Sequence, residues 1–490
     1  MQETLIIIYI LLLAMLFIFA VPISALLLYN RFFNKSEFPL PASILERKKV
    51  TVQLPLYNEI YVVERLINSV CEIEYPQSLL EIQILDDSTD ETKELVDKIT
   101  EEKKSAGYNI KILRRKTRTG YKGGALREAL QNAEGDFIAI FDADFVPGKD
   151  FLKKTLYYFD DEKVGVVQTR WEHLNEKYSI LTKIQASVLD NHFAVDQLQK
   201  YKAGMFINFN GTGGVWRKDT IIDSGNWQDD TLTEDLDLSY RAQLKGWKFI
   251  YLNDVCAPAE LPVEINSIKS QQFRWTKGAM ETGKKLLPKI WKAKIPLTKK
   301  IYSTFHLSGN LIFPIIILLS ILNLPLLIIK NKGMFPHLFN FMSIFLSVLL
   351  ITFVVYLFAQ KNFYPDWKDR IKYFPVYLAG TMGLAVNNSK AIFEALFNKK
   401  SEFIRTPKFK IIEKSADYRN NKYLNGTKIN IIIFFEAVLA LYAAAASAIA
   451  IYLSDFASLP VLLLFLTSFA GVSFYSIKPI LIDKLNRKKK

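Results

Sequence analysis

Acidic residues that close apolar runs are the first candidates for chemistry in this chain. Asp142-Ala143-Asp144 ends the run Phe137-Ile-Ala-Ile-Phe, and a spacing of two puts both carboxylates on one side of an extended segment, where they can share a hard cation. Mg2+ suits such a pair, because it keeps several waters and completes its shell with phosphate oxygens. Asp86–Asp87 ends a second apolar run, Ile-Gln-Ile-Leu. Neighbouring strand side chains point to opposite faces, so one of the two faces a ligand, unless the pair only makes a turn or caps a helix. Lys122-Gly123-Gly124-Ala125-Leu126 precedes the helical run Arg127–Ala133, with Arg114, Arg115 and Arg118 just upstream. That pattern suits a phosphate at a helix N-terminus, or a solvated basic loop. Thr233-Glu234-Asp235-Leu236-Asp237 places acids at a helix start, where they complement the helix dipole or supply a general base for a hydroxyl proton. In Gln271-Gln272-Phe273-Arg274-Trp275, arginine can clamp a diphosphate and tryptophan can stack on a sugar face; the same residues also suit a membrane boundary. The four histidines form no readable Ser-His-Asp or Cys-His arrangement.

These clusters need elements to hold them. Between about 50 and 260, short β-rich runs (Val50–Leu54, Ile82–Leu85, Ile110–Leu113, Phe137–Phe141) alternate with helical stretches such as Tyr61–Val70 and Glu91–Glu101. The alternation predicts an α/β domain with a mainly parallel sheet and helices on both faces. In such sheets ligands bind beyond the carboxyl ends of the strands, which is where the acids fall.

The 490 residues are 50% hydrophobic, 23% charged and 13% aromatic, with mean hydropathy +0.11. That mixture fits membrane spans joined to a soluble domain, and excludes disorder, collagen-like repeats and disulfide scaffolds. Two cysteines are too few for a zinc ribbon. The net charge of +14 is accounted for by loops beside anionic lipid, and no zinc-finger spacing, RNP strand or helix-turn-helix supports a nucleic-acid partner.

The uncharged run Leu5–Leu28 is long enough to span, with a break expected at Pro22–Ile23–Ser24, and lacks the basic start of a signal peptide. Arg31, Lys35, Arg47, Lys48 and Lys49 follow it, which predicts an outside N-terminus and a cytoplasmic domain. Further crossings are expected at 306–329, 339–359, 429–453 and 459–478, with 373–397 as an amphipathic interface helix. The expected organisation is a transmembrane helix over 1–30, the α/β domain over 45–260, interface helices over 261–300, two spans over 301–361, an interface helix and loop over 362–428, two spans over 429–480, and a basic cytoplasmic tail over 481–490.

Taken together, Pro55-Leu56-Tyr57-Asn58-Glu59, Asp86–Asp87, Lys122 to Leu126, Asp142-Ala143-Asp144, Phe209-Asn210-Gly211-Thr212, Thr233-Glu234-Asp235 and Gln271 to Trp275 resemble the membrane-integrated family 2 glycosyltransferases. Within that group of cellulose, mannan, chitin and hyaluronan synthases, the wording is most similar to the cellulose-synthase-like mannan synthases. The resemblance implies a GT-A type nucleotide-sugar-binding domain inserted between transmembrane helices. It implies an inverting, processive β-glycosyltransferase using GDP-mannose or UDP-glucose with Mg2+ or Mn2+, in a bacterial inner membrane or, in a eukaryote, the Golgi.

The residues carry over one by one. Tyr57 and Glu59, with Asp86 or Asp87, would hold the nucleoside, and Lys122 would contact phosphates or ribose. Asp142 and Asp144 would hold the cation. Asp235, beside Glu234, would be the base. Arg274 would steady the leaving diphosphate, and Gln271, Trp275, Asn210, Gly211 and, more weakly, Trp171 would position the acceptor. Glu402-Phe403-Ile404-Arg405-Thr406-Pro407-Lys408 is similar to a gating loop with the pattern Phe-x-Val-Thr-x-Lys, which would give Phe403, Thr406 and Lys408 roles in closing over nucleotide. Arg405 stands where the pattern has Val. Neither a cyclic-dinucleotide-binding domain after the last span nor a zinc RING finger is expected. The partners implied are a nucleotide-sugar donor, a glycan or lipid acceptor and membrane lipid. The alternative is a non-processive enzyme that makes a membrane glycolipid.

Overall fold

The computed structural model describes residues 2–32, 48–401, 403–411, 421–423 and 430–488, without the side chains of 482–488. Lys35, Arg47, Glu402 and the side chains of the basic tail therefore lie outside the described residues.

Seven strands form one sheet: β1 (Val50–Leu56), β2 (Leu80–Asp86), β3 (Ile110–Leu113), β4 (Phe137–Ile140), β5 (Val164–His173), β6 (Gly214–Arg217) and β7 (Lys248–Ala259), in the order β3-β2-β1-β4-β6-β5-β7. β3, β2, β1 and β4 run parallel, as do β5 and β7, whereas β6 is antiparallel to both β4 and β5. The mainly parallel sheet read from the alternation is present, and β6 is its reversed strand. β1 and β2 are buried along nearly their whole length, as strands covered on both faces are. Their polar residues pair across the strands: Thr51 Oγ1 donates to Glu81 Oε2 at 2.5 Å and Gln53 Nε2 to Gln83 Oε1 at 2.9 Å.

Parallel pairing sets the functional edge. Leu56 lies opposite Asp86 and Gln53 opposite Ile140, so Tyr57, Asp87 and Asp142 emerge side by side at the carboxyl ends of β1, β2 and β4. β6 starts from that same edge with Gly214 opposite Ile140, which brings Gly211-Thr212 against Asp142.

The helices differ from the sequence reading in two informative places. Gln2–Phe32 continues through Pro22 instead of breaking there. Nearby hydroxyls meet carbonyls around the proline, with Ser24 Oγ donating to Ala20 O at 3.0 Å and Tyr302 OH to Pro22 O at 3.1 Å. The segment 373–397 forms two helices, Phe374–Gly383 and Ala385–Leu396. The polar residues Asn387, Asn388 and Glu394 of the second face the protein, and Phe393, Leu396 and Phe397 are exposed.

Among the described residues, five helical segments are long and apolar enough to cross a membrane: Gln2–Phe32, Leu297–Asn331, Pro336–Phe363, Ile431–Tyr452 and Leu459–Leu481. Lys330 Nζ meets Asp455 at 2.8 Å, tying the end of the second segment to the turn between the last two. A buried pair, Lys269 Nζ to Glu436 Oε2 at 2.7 Å, with Ser476 Oγ also at 2.7 Å, fastens the helix Ile265–Lys292 to the fourth and fifth.

Candidate active site

The carboxyl edge of the sheet, the first turns of two helices, the helix Ile265–Lys292 and the loop 403–408 enclose a cavity of about 220 Å3. Tyr57, Glu59, Asp87, Lys122, Asp142, Asp144, Trp171, Asn210, Gly211, Glu234, Asp235, Gln271, Arg274, Trp275, Phe403, Thr406 and Lys408 all line it. Of the predicted site residues, Asp86 does not. It is 2% exposed, accepts from Ser88 N at 3.0 Å and pairs with Arg114 Nε at 2.8 Å, so it shapes the strand end. The alternation of side chains leaves Asp87 as the acid at the cavity, held by Arg115.

The glycines of Lys122-Gly123-Gly124 lie inside the helix Tyr121–Gln131, not before it. A Cβ on Gly123 would come within 3.2 Å of the Glu234 side chain, and one on Gly124 would sit 2.1 Å from Thr119 O. Their absent side chains admit close packing, and through it bring Lys122 to the acids. Lys122 Nζ donates to Asp142 Oδ1 at 2.5 Å and to Gly211 O at 2.9 Å. Burial works against its ammonium, but Asp142 and Glu234 outweigh this and raise its pKa. Asp142 is further fixed by its backbone N–H, which donates to Thr212 Oγ1 at 2.9 Å.

Asp235 stands in the first turn of the helix Glu234–Leu244, with Oδ1 accepting from Leu236 N at 2.8 Å. Withdrawal from solvent, together with the neighbouring Glu234 carboxylate, pushes its pKa up to about 7, against the pull of Lys122. Glu234 is raised as well, chiefly by burial. A carboxylate with so high a pKa holds a proton strongly once it has taken one, which suits a general base.

The loop 403–408 enters this cavity from across the sequence. Arg274 Nη2 donates to Thr406 Oγ1 at 2.8 Å, Arg274 also bonds Ile404 O, and its guanidinium lies 4.8 Å over the Phe403 ring. Burial lowers the Arg274 pKa to about 10, opposed by Asp142 and Glu234. Phe403 stacks on Tyr121 at 5.2 Å. Lys408 Nζ donates to Asp144 Oδ2 at 2.6 Å and to Glu260 O at 3.1 Å.

Other cavity residues were not singled out from the sequence. Arg405 makes a two-pronged pair with Glu59, at 2.8 and 2.6 Å. Burial raises the Glu59 pKa and Arg405 opposes it. The signal available for Arg405 was its departure from the gating pattern. Arg118, noted only as part of a basic run, lies 3.4 Å over the Tyr57 ring. Glu260, raised by burial, accepts from Phe409 N at 2.9 Å and Arg65 at 3.2 Å, with no motif to announce it.

Asp142 and Asp144 offer hard oxygen donors on one wall, and each keeps an oxygen, Oδ2 and Oδ1 respectively, that bonds none of the described residues. Among the described residues no group of three or more His, Cys, Asp or Glu gathers. This donor set fits Mg2+ or Mn2+ completed by phosphate oxygens, and does not fit a cation caged by protein alone.

Beside the cavity lies an apolar chamber of about 330 Å3, walled by Ile184, Val188, Ile268, Val376, Leu384, Val472 and their neighbours. Leu189, Gln271 and Trp275 line both spaces, so the two lie side by side.

Comparison with known proteins places these features in context. Residues 47–278 match the family model described as "Glycosyltransferase like family 2". A probable glucomannan 4-beta-mannosyltransferase 2 of Oryza sativa subsp. japonica is 43% identical over 283 residues, which cover 57% of this chain and 47% of that protein. Glucomannan 4-beta-mannosyltransferase 1 of Cyamopsis tetragonoloba is 39% identical over 303 residues, covering 59% of this chain and 58% of that protein. The chain spans about half the length of the curated relatives it matches. A solved mannosyltransferase from Pyrobaculum calidifontis in complex with GDP-Man and Mn2+ superimposes with a TM-score of 0.58 at 19% identity, over 82% of this chain and 100% of that one. At that identity the likeness speaks for the fold.

Proposed function

We propose that this chain is an inverting hexosyltransferase that extends a β-linked glycan at the membrane, with GDP-mannose as first candidate donor and UDP-glucose as second, a reading supported by the match of residues 47–278 to a family 2 glycosyltransferase model. The observation that carries the reading is the single cavity that holds Asp142 and Asp144, Asp235, Arg274 and Trp275 together, with Trp275 also lining a chamber among apolar helices. The relatives named as mannosyltransferases, about two-fifths identical over the matched region, favour mannose.

In this reading Tyr57, Glu59 and Asp87 hold the nucleoside, and Arg118 adds its guanidinium to that face. Trp275 and Gln271 hold the acceptor's terminal sugar. Asp235 takes the proton of an acceptor hydroxyl, and the oxygen bonds to C1 of the donor hexose. The C1–O bond to the diphosphate breaks, and the nucleoside diphosphate leaves with its electron pair. One displacement converts an α-linked donor into a β-linked product, so no enzyme nucleophile is required. Lys122, Lys408 and Arg274 surround the place where the leaving charge develops. A divalent cation bound by Asp142 and Asp144 would supply further charge to the diphosphate. The loop 403–408 closes over the donor, with the domain on the cytoplasmic side of the membrane as the basic flank after the first span suggests.

Purified chain with Mn2+ or Mg2+ would be given labelled GDP-mannose and UDP-glucose separately, with Asp235→Asn alongside. High-molecular-weight product that requires Asp235 and is cut by β-1,4-mannanase is the expected result. Product cut by cellulase instead would name glucose. A short, chloroform-soluble product would overturn the polymer and establish the glycolipid alternative.

A further inference from the structure

Trp171 and His173 stand two residues apart near the end of β5, so their side chains leave the same face of the strand. Both line the cavity. Trp171 Nε1 donates to Thr212 O at 3.3 Å, which seats the indole against the segment that carries Gly211. His173 Nε2 lies 3.0 Å from Asp190 Oδ1, and the two side chains are only 4% and 1% exposed. The other ring nitrogen, Nδ1, bonds none of the described residues.

Asp190 also accepts from Gln360 Nε2 at 3.5 Å and from the Tyr364 hydroxyl. Donors from β5 and from the end of the third membrane helix thus converge on one buried carboxylate. In the neutral imidazole, a carboxylate that accepts from Nε2–H leaves Nδ1 with a lone pair. The histidine therefore presents a hydrogen-bond acceptor whose direction is set from behind.

Its position decides which ligand it meets. Asp190 follows Leu189 in the helix Ile180–Asn191, and Leu189 lines both the cavity and the apolar chamber. That is the side of Trp275 and Gln271. A pyranose stacked on an indole is held by its face but can still turn about the stacking axis. A second contact, to a hydroxyl on the rim of the ring, stops that rotation.

We propose that His173 binds a hydroxyl of the acceptor sugar through Nδ1 and, with Trp275, determines which of the sugar's other hydroxyls faces Asp235. His173 is thus an acceptor-binding residue that governs linkage, and Asp190 is a positioning residue that acts through it. The assignment rests on the glycosyltransferase reading of the cavity.

The test measures binding of β-1,4-mannohexaose and cellohexaose to the full chain in detergent by tryptophan fluorescence, together with GDP-mannose binding and methylation analysis of the product. Oligosaccharide binding needs no turnover, so failure of the synthase reading and failure of this assignment give different results. His173→Ala is expected to weaken oligosaccharide binding about three- to tenfold, the size of one net hydrogen bond, to leave GDP-mannose binding unchanged and to admit linkages absent from the wild-type product. His173→Gln, which offers an amide oxygen, is expected to restore most of the affinity. Unchanged oligosaccharide affinity in a His173→Ala protein of normal melting temperature would overturn the proposal. So would equal losses of donor and acceptor affinity, or a wild-type chain that binds neither oligosaccharide.

Discussion

Lys408 Nζ lies 2.6 Å from Asp144 Oδ2, so a lysine from the loop 403–408 neutralises one carboxylate of the Asp142-Ala143-Asp144 pair. Lys122 does the same for Asp142, at 2.5 Å. Each acid suited to a cation is therefore paired with a lysine suited to phosphate. Cation and lysines draw on the same negative charge, and a bound diphosphate gives the lysines a second partner.

Lys408→Met removes one competitor for that charge. Mn2+ binding without nucleotide, followed by electron paramagnetic resonance, should tighten about tenfold, equivalent to about 1.4 kcal/mol. GDP-mannose binding in the presence of Mn2+ should weaken, because a phosphate contact is lost. Unchanged Mn2+ affinity would remove Lys408 from the electrostatics of the site.

The pH profile follows from Asp235. Its pKa is raised to about 7, so the base is protonated and inactive below that pH and ionised above it. kcat/KM should fall on the acid side of about pH 7 and level off above it. Glu234 is the neighbouring charge that raises this pKa, so Glu234→Gln should move the acid limb to lower pH. Asp235→Asn should reduce transfer by about 10²- to 10⁴-fold with donor binding retained.

Gly211 has φ +80°, and a Cβ there would lie 2.9 Å from Asp235 Oδ2. Gly211→Ala meets both a left-handed backbone and the base itself. Transfer should be nearly abolished, while the far-UV circular dichroism and the melting temperature change little beyond a backbone cost of about 1–2 kcal/mol. Activity within twofold of wild type would show that the loop can move away from Asp235.

The Lys269–Glu436 pair holds the helix of Gln271, Arg274 and Trp275 to the membrane segments, with residue exposures of 6% and 0%. Glu436→Ala should destabilise the detergent-solubilised chain by about 3–5 kcal/mol, because it strands a buried ammonium. Lys269→Met with Glu436→Leu should recover most of the thermal stability, since neither charge remains. A double variant no more stable than Glu436→Ala would assign the loss to packing.

Much of the site was legible because its acids end short β-rich runs, and such runs announce strand ends locally. β1 to β4 were read close to their observed bounds for that reason, and the five long apolar helices fall where apolar runs were read. β5, β6 and β7 were not read as strands; Gly214–Arg217 is short and mixed in character, and only its neighbours β4 and β5 give it a place. The glycines at 123 and 124 were read as a phosphate cradle or a solvated basic loop, because a sequence cannot show that Glu234 packs against the first of them.

The sequence placed Asp142, Asp144, Asp235, Arg274 and Trp275 as candidates, and their resemblance to family 2 glycosyltransferase motifs gave them proposed roles. Only the tertiary structure decided that Asp87 and not Asp86 meets the cavity, that Arg405 reaches Glu59 across 346 positions, and that His173 is turned by Asp190. The physical reason is range. Periodicity and strand-end acids are written within a few residues, whereas those contacts depend on crossovers of a mixed sheet and on a chain that returns from the membrane, and such partners leave no local trace in one another's sequence.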